Sequence, residues 1–165
     1  MIFAEVSLLE QECYTNCDFT IKNTILDSES IAYNASSFLL NEYKIIYRKS
    51  KETPKKMGQF VTFWKRSELG PIEPYNENDD FDFFVINCST STDFGQFVFP
   101  KAILIKKGII SSAKKEGKRG FRVYPSWDLT VSKQAQKTQA WQNNYFVQLS
   151  ETMHIDSLKK LYLNK

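Results

Sequence analysis

Histidine is nearly missing from this chain: His154 is the only one in 165 residues. A single imidazole leaves no convincing Ser/His or Cys/His pair around which a nucleophilic triad can form. Cysteine is scarce as well, and Cys13, Cys17 and Cys88 make an odd number. With no second ligand pair beside Cys13-x-x-x-Cys17, no zinc site is expected, and the thiols read as reduced in a cytoplasmic setting. Six glycines are spread along the chain rather than gathered into a phosphate cradle. No apolar run approaches the ~18 residues of a membrane helix. The opening MIFAEVSLLEQE carries Glu5 and Glu10 and no basic region, which speaks against a secretory signal.

Aromatic residues and segregated charge are what the chain does have. Thirteen Phe, eight Tyr and three Trp make up 15% of it, so rings are expected to fill the core and to offer some stacking surface. The length predicts a single domain over residues 1–165. A net charge of +3 conceals strong blocks. Residues 1–43 hold seven acids and one base, residues 44–66 eight bases and one acid, and residues 67–82 six acids and no base. Residues 101–122 again hold eight bases and one acid. Two such basic blocks either converge into a patch that attracts polyanions or stand as separate solvated faces.

Periodicity predicts a helix from Ser28 to about Asn41, with Ile31, Ala35, Phe38 and Leu39 as its stripe, and then a strand over Tyr43–Lys49. Thr53-Pro54 reads as a helix start, followed by Met57, Phe60, Val61 and Trp64 at helical spacing up to Arg66. Two apolar strands between Asp82 and Lys101 form a hairpin. Pro100 opens a short helix that ends at Gly108, and Lys114 to Gly120 is a basic loop. A strand over Phe121–Pro125, a helix over about Thr130 to Gln142, a strand over Tyr145–Leu149 and a terminal helix from Asp156 complete the order. That order predicts an α/β fold of the α+β mixed-sheet kind, with a restriction-endonuclease-like αβββαβ core and helices on both sides.

Nucleases of that fold place one acid at the start of a strand and an acid-x-lysine triplet on the next, to hold Mg²⁺ and charge an attacking water. Here Asp82 has the first position, but Gln96 and Val98 stand where the second acid and the lysine are needed. Glutamine brings no charge and valine stabilises none, so the motif is degenerate, no catalytic or metal residue is assigned, and no cofactor is expected. The plain alternative is that Asp82 solvates a strand end. The ENDDFD run fails as a calcium loop because Phe81 stands where glycine is required.

A stronger pattern interleaves bases with rings. Lys114, Lys115, Lys118, Arg119 and Arg122 precede Tyr124 and Trp127, and Lys133, Gln134 and Lys137 follow on the next helix. Lys55, Lys56, Lys65 and Arg66 can line an opposite wall. Lysine and arginine neutralise phosphates, and rings stack on unpaired bases. Core packing is the plain alternative for Tyr124 and Trp127, and a solvated loop for the lysines.

The stretches TPKKMGQFVTFWKR, EPYNENDDFDFFVI, GQFVFPKAILIKKGII, GKRGFRVYPSWD and KQAQKTQAWQNNYF resemble the MepB family over roughly residues 28–149, with residues 1–27 left as an N-terminal extension packing on that core. The resemblance implies a small bacterial cytosolic protein whose gene commonly lies beside a MATE-type multidrug efflux pump and a MarR-type repressor. It also implies a nuclease-like fold that binds nucleic acid without established catalysis. The expectation is therefore a non-catalytic, largely sequence-independent binder of DNA, single- or double-stranded, with no membrane insertion. A Mg²⁺- or Mn²⁺-dependent nuclease using Asp82 and Gln96 is one alternative. An adaptor that binds a protein or a small cationic drug through Glu73, Asp79 and Asp80 is another.

Overall fold

Phe83–Ser89 is apolar at nearly every position, and it becomes the strand with both faces covered (β8), buried from Phe83 to Cys88. In the computed structural model, which describes Tyr14, residues 17–149 and residues 155–163, this strand lies inside a six-stranded sheet. The sheet runs β1 (Ile21–Leu26), β2 (Ser36–Leu40), β3 (Tyr43–Lys49), β8, β9 (Phe94–Pro100) and β11 (Phe146–Gln148). Its β3–β8 pair is parallel, and all its other pairs are antiparallel, so the sheet is mixed. Cys13 and His154 lie outside the described residues.

Side chains alternate across a strand, so β8 and β9 feed two cores. Phe83, Val85 and Val98 face one, closed by Leu158 and Tyr162 of a helix over Ile155–Leu163 and by Tyr14 and Phe19. Phe84, Ile86, Phe97 and Phe99 face the other. That second core is closed by Ile103 and Leu104 of α1 (Lys101–Lys106) and by a small sheet of β4 (Lys51–Glu52), β5 (Gln59–Thr62) and β10 (Gly120–Val123). Its outer part is the helix α2 (Lys133–Gln142); the Ile155–Leu163 helix is α3. A mixed sheet with helices on both faces is the α+β class expected from the sequence.

Two expected helices are strands. Residues 28–41 hold a one-turn 3-10 segment at Ile31–Tyr33 and then β2, in which Ser36, Phe38 and Leu40 point inward and the residues between them lie nearer the surface. Ser30, Asn34 and Asn41 adopt left-handed φ values of 54°, 50° and 53°, which end any helix there. Residues 54–66 hold a turn, β5 and β6 (Trp64–Arg66), the last paired with β7 (Ile72–Pro74). Gly58, at φ 77°, breaks the helical spacing in mid-run, and Val61 and Phe63 are then buried on alternate positions. These strands supply the crossover that joins parallel β3 to β8, where a helix is the usual device. The remaining elements fall where the pattern placed them, within the usual few residues at their ends.

Candidate nucleic-acid interface

The three hairpin positions do not form a site. In the β8–β9 register Phe83 faces Pro100, Val85 faces Val98 and Asn87 faces Gln96. Gln96 is thus level with Asn87, which at ~3.3 Å per residue puts it roughly 16 Å along the sheet from Asp82. Asp82 instead fastens the parallel strands: its Oδ2 accepts the Lys44 amide at 2.8 Å, and its own amide donates to the Lys44 carbonyl at 2.8 Å. Lys101 donates its amide to the Asp82 carbonyl at 3.0 Å and sends its Nζ to the Asp79 carbonyl, so it does not stand in for the missing lysine.

Gln96 is fully buried in a polar network. Its Oε1 accepts the hydroxyls of Tyr14 at 3.1 Å and Tyr162 at 3.0 Å, and its Nε2 donates to Asn87 Oδ1 at 2.8 Å. A buried amide needs such partners, and here they join residues before β1 and residues of α3 to the sheet. Val98 is sealed at 0% exposure. Cys88 is no nucleophile either, because burial pushes its thiol up to about 12. Among the described residues no group of three His, Cys, Asp or Glu side chains is placed to hold a metal ion.

The basic blocks do meet. Arg122 on β10 pairs across the small sheet with Phe60 on β5. Its guanidinium also reaches back to the turn before β5, donating to the Met57 carbonyl at 3.0 Å, Thr53 Oγ1 at 2.7 Å and the Gly58 carbonyl at 3.2 Å. That turn carries exposed Lys55 and Lys56. The expected cations then divide by their partners. Lys65 lies between Asp79 at 2.6 Å and Glu73 at 3.6 Å, Arg66 is held by both oxygens of Glu29, and Arg119 pairs with Glu116. These three are locally neutralised, and Lys65 and Arg66 lie on the separate β6–β7 ribbon rather than on an opposite wall. Lys55, Lys56, Lys114, Lys115, Lys118, Lys133 and Lys137 are exposed, and no carboxylate among the described residues pairs with them.

The acids proposed for a cationic ligand also separate. Glu73 and Asp79 converge, but on Lys65, while Asp80 pairs with Lys44.

A cleft of about 530 Å³ opens between β10 and α2. Lys107, Lys118 and Arg122 give it charge, Phe60, Phe121, Tyr124 and Trp141 give it rings, and no carboxylate lines it. Its walls are built by glutamine as much as by apolar packing. Gln142 is fully buried and clamps β10, accepting the Tyr124 amide at 2.8 Å and donating to the Arg122 carbonyl at 3.0 Å. One turn earlier Gln139 donates to the carbonyls of Pro125 at 3.0 Å and Asp128 at 2.9 Å, and Gln136 donates to that of Thr130 at 3.2 Å. Positions 136, 139 and 142 share a helix face, so α2 docks by hydrogen bonds, with Ser132 capping it through the Ala135 amide at 3.1 Å.

Small residues shape the opposite wall. A Cβ at Gly120 would meet the Phe60 ring at 2.6 Å and one at Gly58 the Tyr124 ring at 2.7 Å, so both rings pack closely on glycine backbone. Lys107 stands over the Trp141 ring at 5.4 Å, and Lys115 crosses Gly108, the next residue.

Of the residues singled out in the sequence, Tyr124 and Gln134 line the cleft, whereas Trp127 does not. Its ring packs edge-on against Phe146 at 5.6 Å in the second core, and its Nε1 is buried without a partner. Phe60, Lys107 and Trp141 are cleft residues that the sequence reading did not assign. The available signal was spacing: Gln134, Thr138 and Trp141 recur at i, i+4 and i+7 and therefore share the cleft side of α2.

The MepB-like family profile matches residues 27–148. Among solved structures, a crystal structure of MepB superimposes with a TM-score of 0.79 at 31% identity, covering 90% of this chain and 98% of that one. A bacterial homing endonuclease gives a TM-score of 0.44 at 15% identity, covering 86% of each chain. No curated protein matches.

Proposed function

The chain belongs to the MepB-like family, and on that premise we propose that it is a non-catalytic, largely sequence-independent nucleic-acid binder, with DNA as its first ligand. The observation that carries the reading is the β10–α2 cleft, where three cations and four aromatic rings converge without one lining carboxylate. Exposed Lys55 and Lys56, on the turn that Arg122 holds, and Lys115, beside Gly108, add positive charge near it. Such a surface meets phosphates by charge and bases by ring faces, neither of which reads sequence. The burial of Gln96 and Val98 supports the non-catalytic half, since neither can reach a metal beside Asp82. A cytoplasmic location and a role alongside multidrug-efflux genes belong to the same proposal.

The test is fluorescence anisotropy with a labelled oligonucleotide, together with incubation of supercoiled plasmid with Mg²⁺ or Mn²⁺. About six phosphate contacts predict an affinity loss on the order of a thousandfold between 50 and 200 mM salt. The plasmid is expected to stay intact. Absence of binding at low salt, or binding indifferent to salt, overturns the reading. Cleavage that disappears in Asp82→Ala overturns its non-catalytic half.

A further inference from the structure

Resting on that reading, we infer that the β10–α2 cleft is built for an unpaired nucleotide, so that the protein selects single-stranded over duplex nucleic acid. The rings are inside the cleft and not on a flat face. Phe60 and Tyr124 lie against glycine backbone on the β5–β10 wall, and Trp141 stands on the α2 wall, backed by Phe99 at 5.5 Å. Bases in a duplex are already stacked on their neighbours and offer no free face, so rings inside a crevice can stack only on an unpaired or extruded base.

The cleft volume of about 530 Å³ is of the size that takes a small-molecule ligand rather than a double helix. Lys118 and Arg122 belong to the β10 side and Lys107 to the end of α1, next to Trp141.

Polar groups are also left free for base edges. The Tyr124 hydroxyl, the Trp141 indole N–H and the Gln134 amide have no hydrogen-bond partner among the described residues. Amides and hydroxyls that are uncommitted in this way fit any base, in keeping with weak sequence preference. The contrast with Trp127 is informative: its ring packs on Phe146 outside the cleft lining, whereas Trp141 lines the cleft.

The test compares a fluorescein-labelled 12-nucleotide oligo(dT) with a 12-base-pair duplex carrying the same label, using the full chain at 50 mM salt. The single strand is expected to bind at least about tenfold more tightly. Trp141→Ala is expected to weaken the single strand by about tenfold or more, within the range of one lost stack, and to weaken the duplex far less. Because Trp141 also packs on Phe99, a second measurement avoids dependence on that variant's folding. Oligo(dT) should quench the intrinsic tryptophan fluorescence of the native protein, and Trp141→Phe should lose most of that quenching while still binding.

Equal affinity for strand and duplex, or quenching that persists in Trp141→Phe, overturns the single-strand inference and leaves the binding reading standing. Failure of both ligands to bind overturns the binding reading itself.

Discussion

Asp128 shows how one side chain sets a pH dependence that can be checked. Its Oδ2 is buried with no hydrogen-bond partner. Burial, and after it the negative charge of Glu52, raise its carboxyl above the ordinary 3.8, with Arg122 acting in the opposite direction. The folded state therefore holds the proton more tightly than the unfolded chain does. Its contribution to stability is fully present below the ordinary carboxylate pKa and is lost as pH rises through the raised folded value. Above that value an ionised, under-solvated carboxylate remains in the fold. Asp128→Asn is thus expected to raise the melting temperature at pH values above the raised folded pKa. The advantage should shrink and vanish as pH is lowered below the ordinary carboxylate range. Thermal unfolding of both proteins from pH 3 to pH 8 measures it, and parallel curves for the two would sink the argument.

The β8–β9 hairpin carries the element-scale prediction. Restoring the acid-x-lysine pattern by Gln96→Glu with Val98→Lys places two ionisable groups in a core where both native side chains are sealed. An unpaired buried charge costs about 3–5 kcal/mol, so the double variant should be grossly destabilised in urea and inert toward plasmid with Mg²⁺. A stable, Mg²⁺-dependent nuclease would refute the registry argument. The hairpin itself was legible because its strands are continuous apolar runs bounded by a Ser/Thr/Asp turn. So were α1, with Pro100 before it and Gly108 after it, and α2, with Ser132 as its cap. The two mistaken helices share a cause: three or four apolar residues at helical spacing outweighed punctuation that argues for turns. Asn34 and Asn41 mark left-handed positions, Gly58 interrupts its run, and Val61-Thr62-Phe63-Trp64 is rich in strand-forming types. The cleft was half legible. Lys118, Arg122 and Tyr124 stood in one visible cluster, but Lys107 lay outside it, Phe60 reaches the cleft through the long-range β5–β10 pairing, and Trp141 reaches it through the docking of α2 on β10.

At the scale of the molecule, the same pairing brings the 44–66 and 101–122 blocks together, and the acidic segments around them decide which bases remain active. Glu29, Glu73 and Asp79 bind Arg66 and Lys65, so the charge on the β6–β7 ribbon is spent within the fold, while Lys107 and Lys118 in the cleft and Lys55 and Lys56 on the turn that Arg122 holds stay open to an anion. Salt dependence can separate these two groups, because each phosphate neutralised contributes its own increment to the log–log slope, about 0.7 for a single strand. Lys118→Ala should lower the slope for oligo(dT) by about that amount and weaken binding at 50 mM salt. Lys65→Ala should leave the slope unchanged, since at ~0.1 M salt charges farther than ~10 Å are largely screened and Lys65 offers no free charge to a phosphate. The second substitution acts on folding instead, because it removes the partner shared by Asp79 and Glu73 at the mouth of the acidic loop. Anisotropy titrations of the two variants at four salt concentrations resolve the difference. A slope that falls equally in both means that the ligand tracks the β6–β7 ribbon, and the interface would have to be redrawn around Lys65 and Arg66 instead of the cleft.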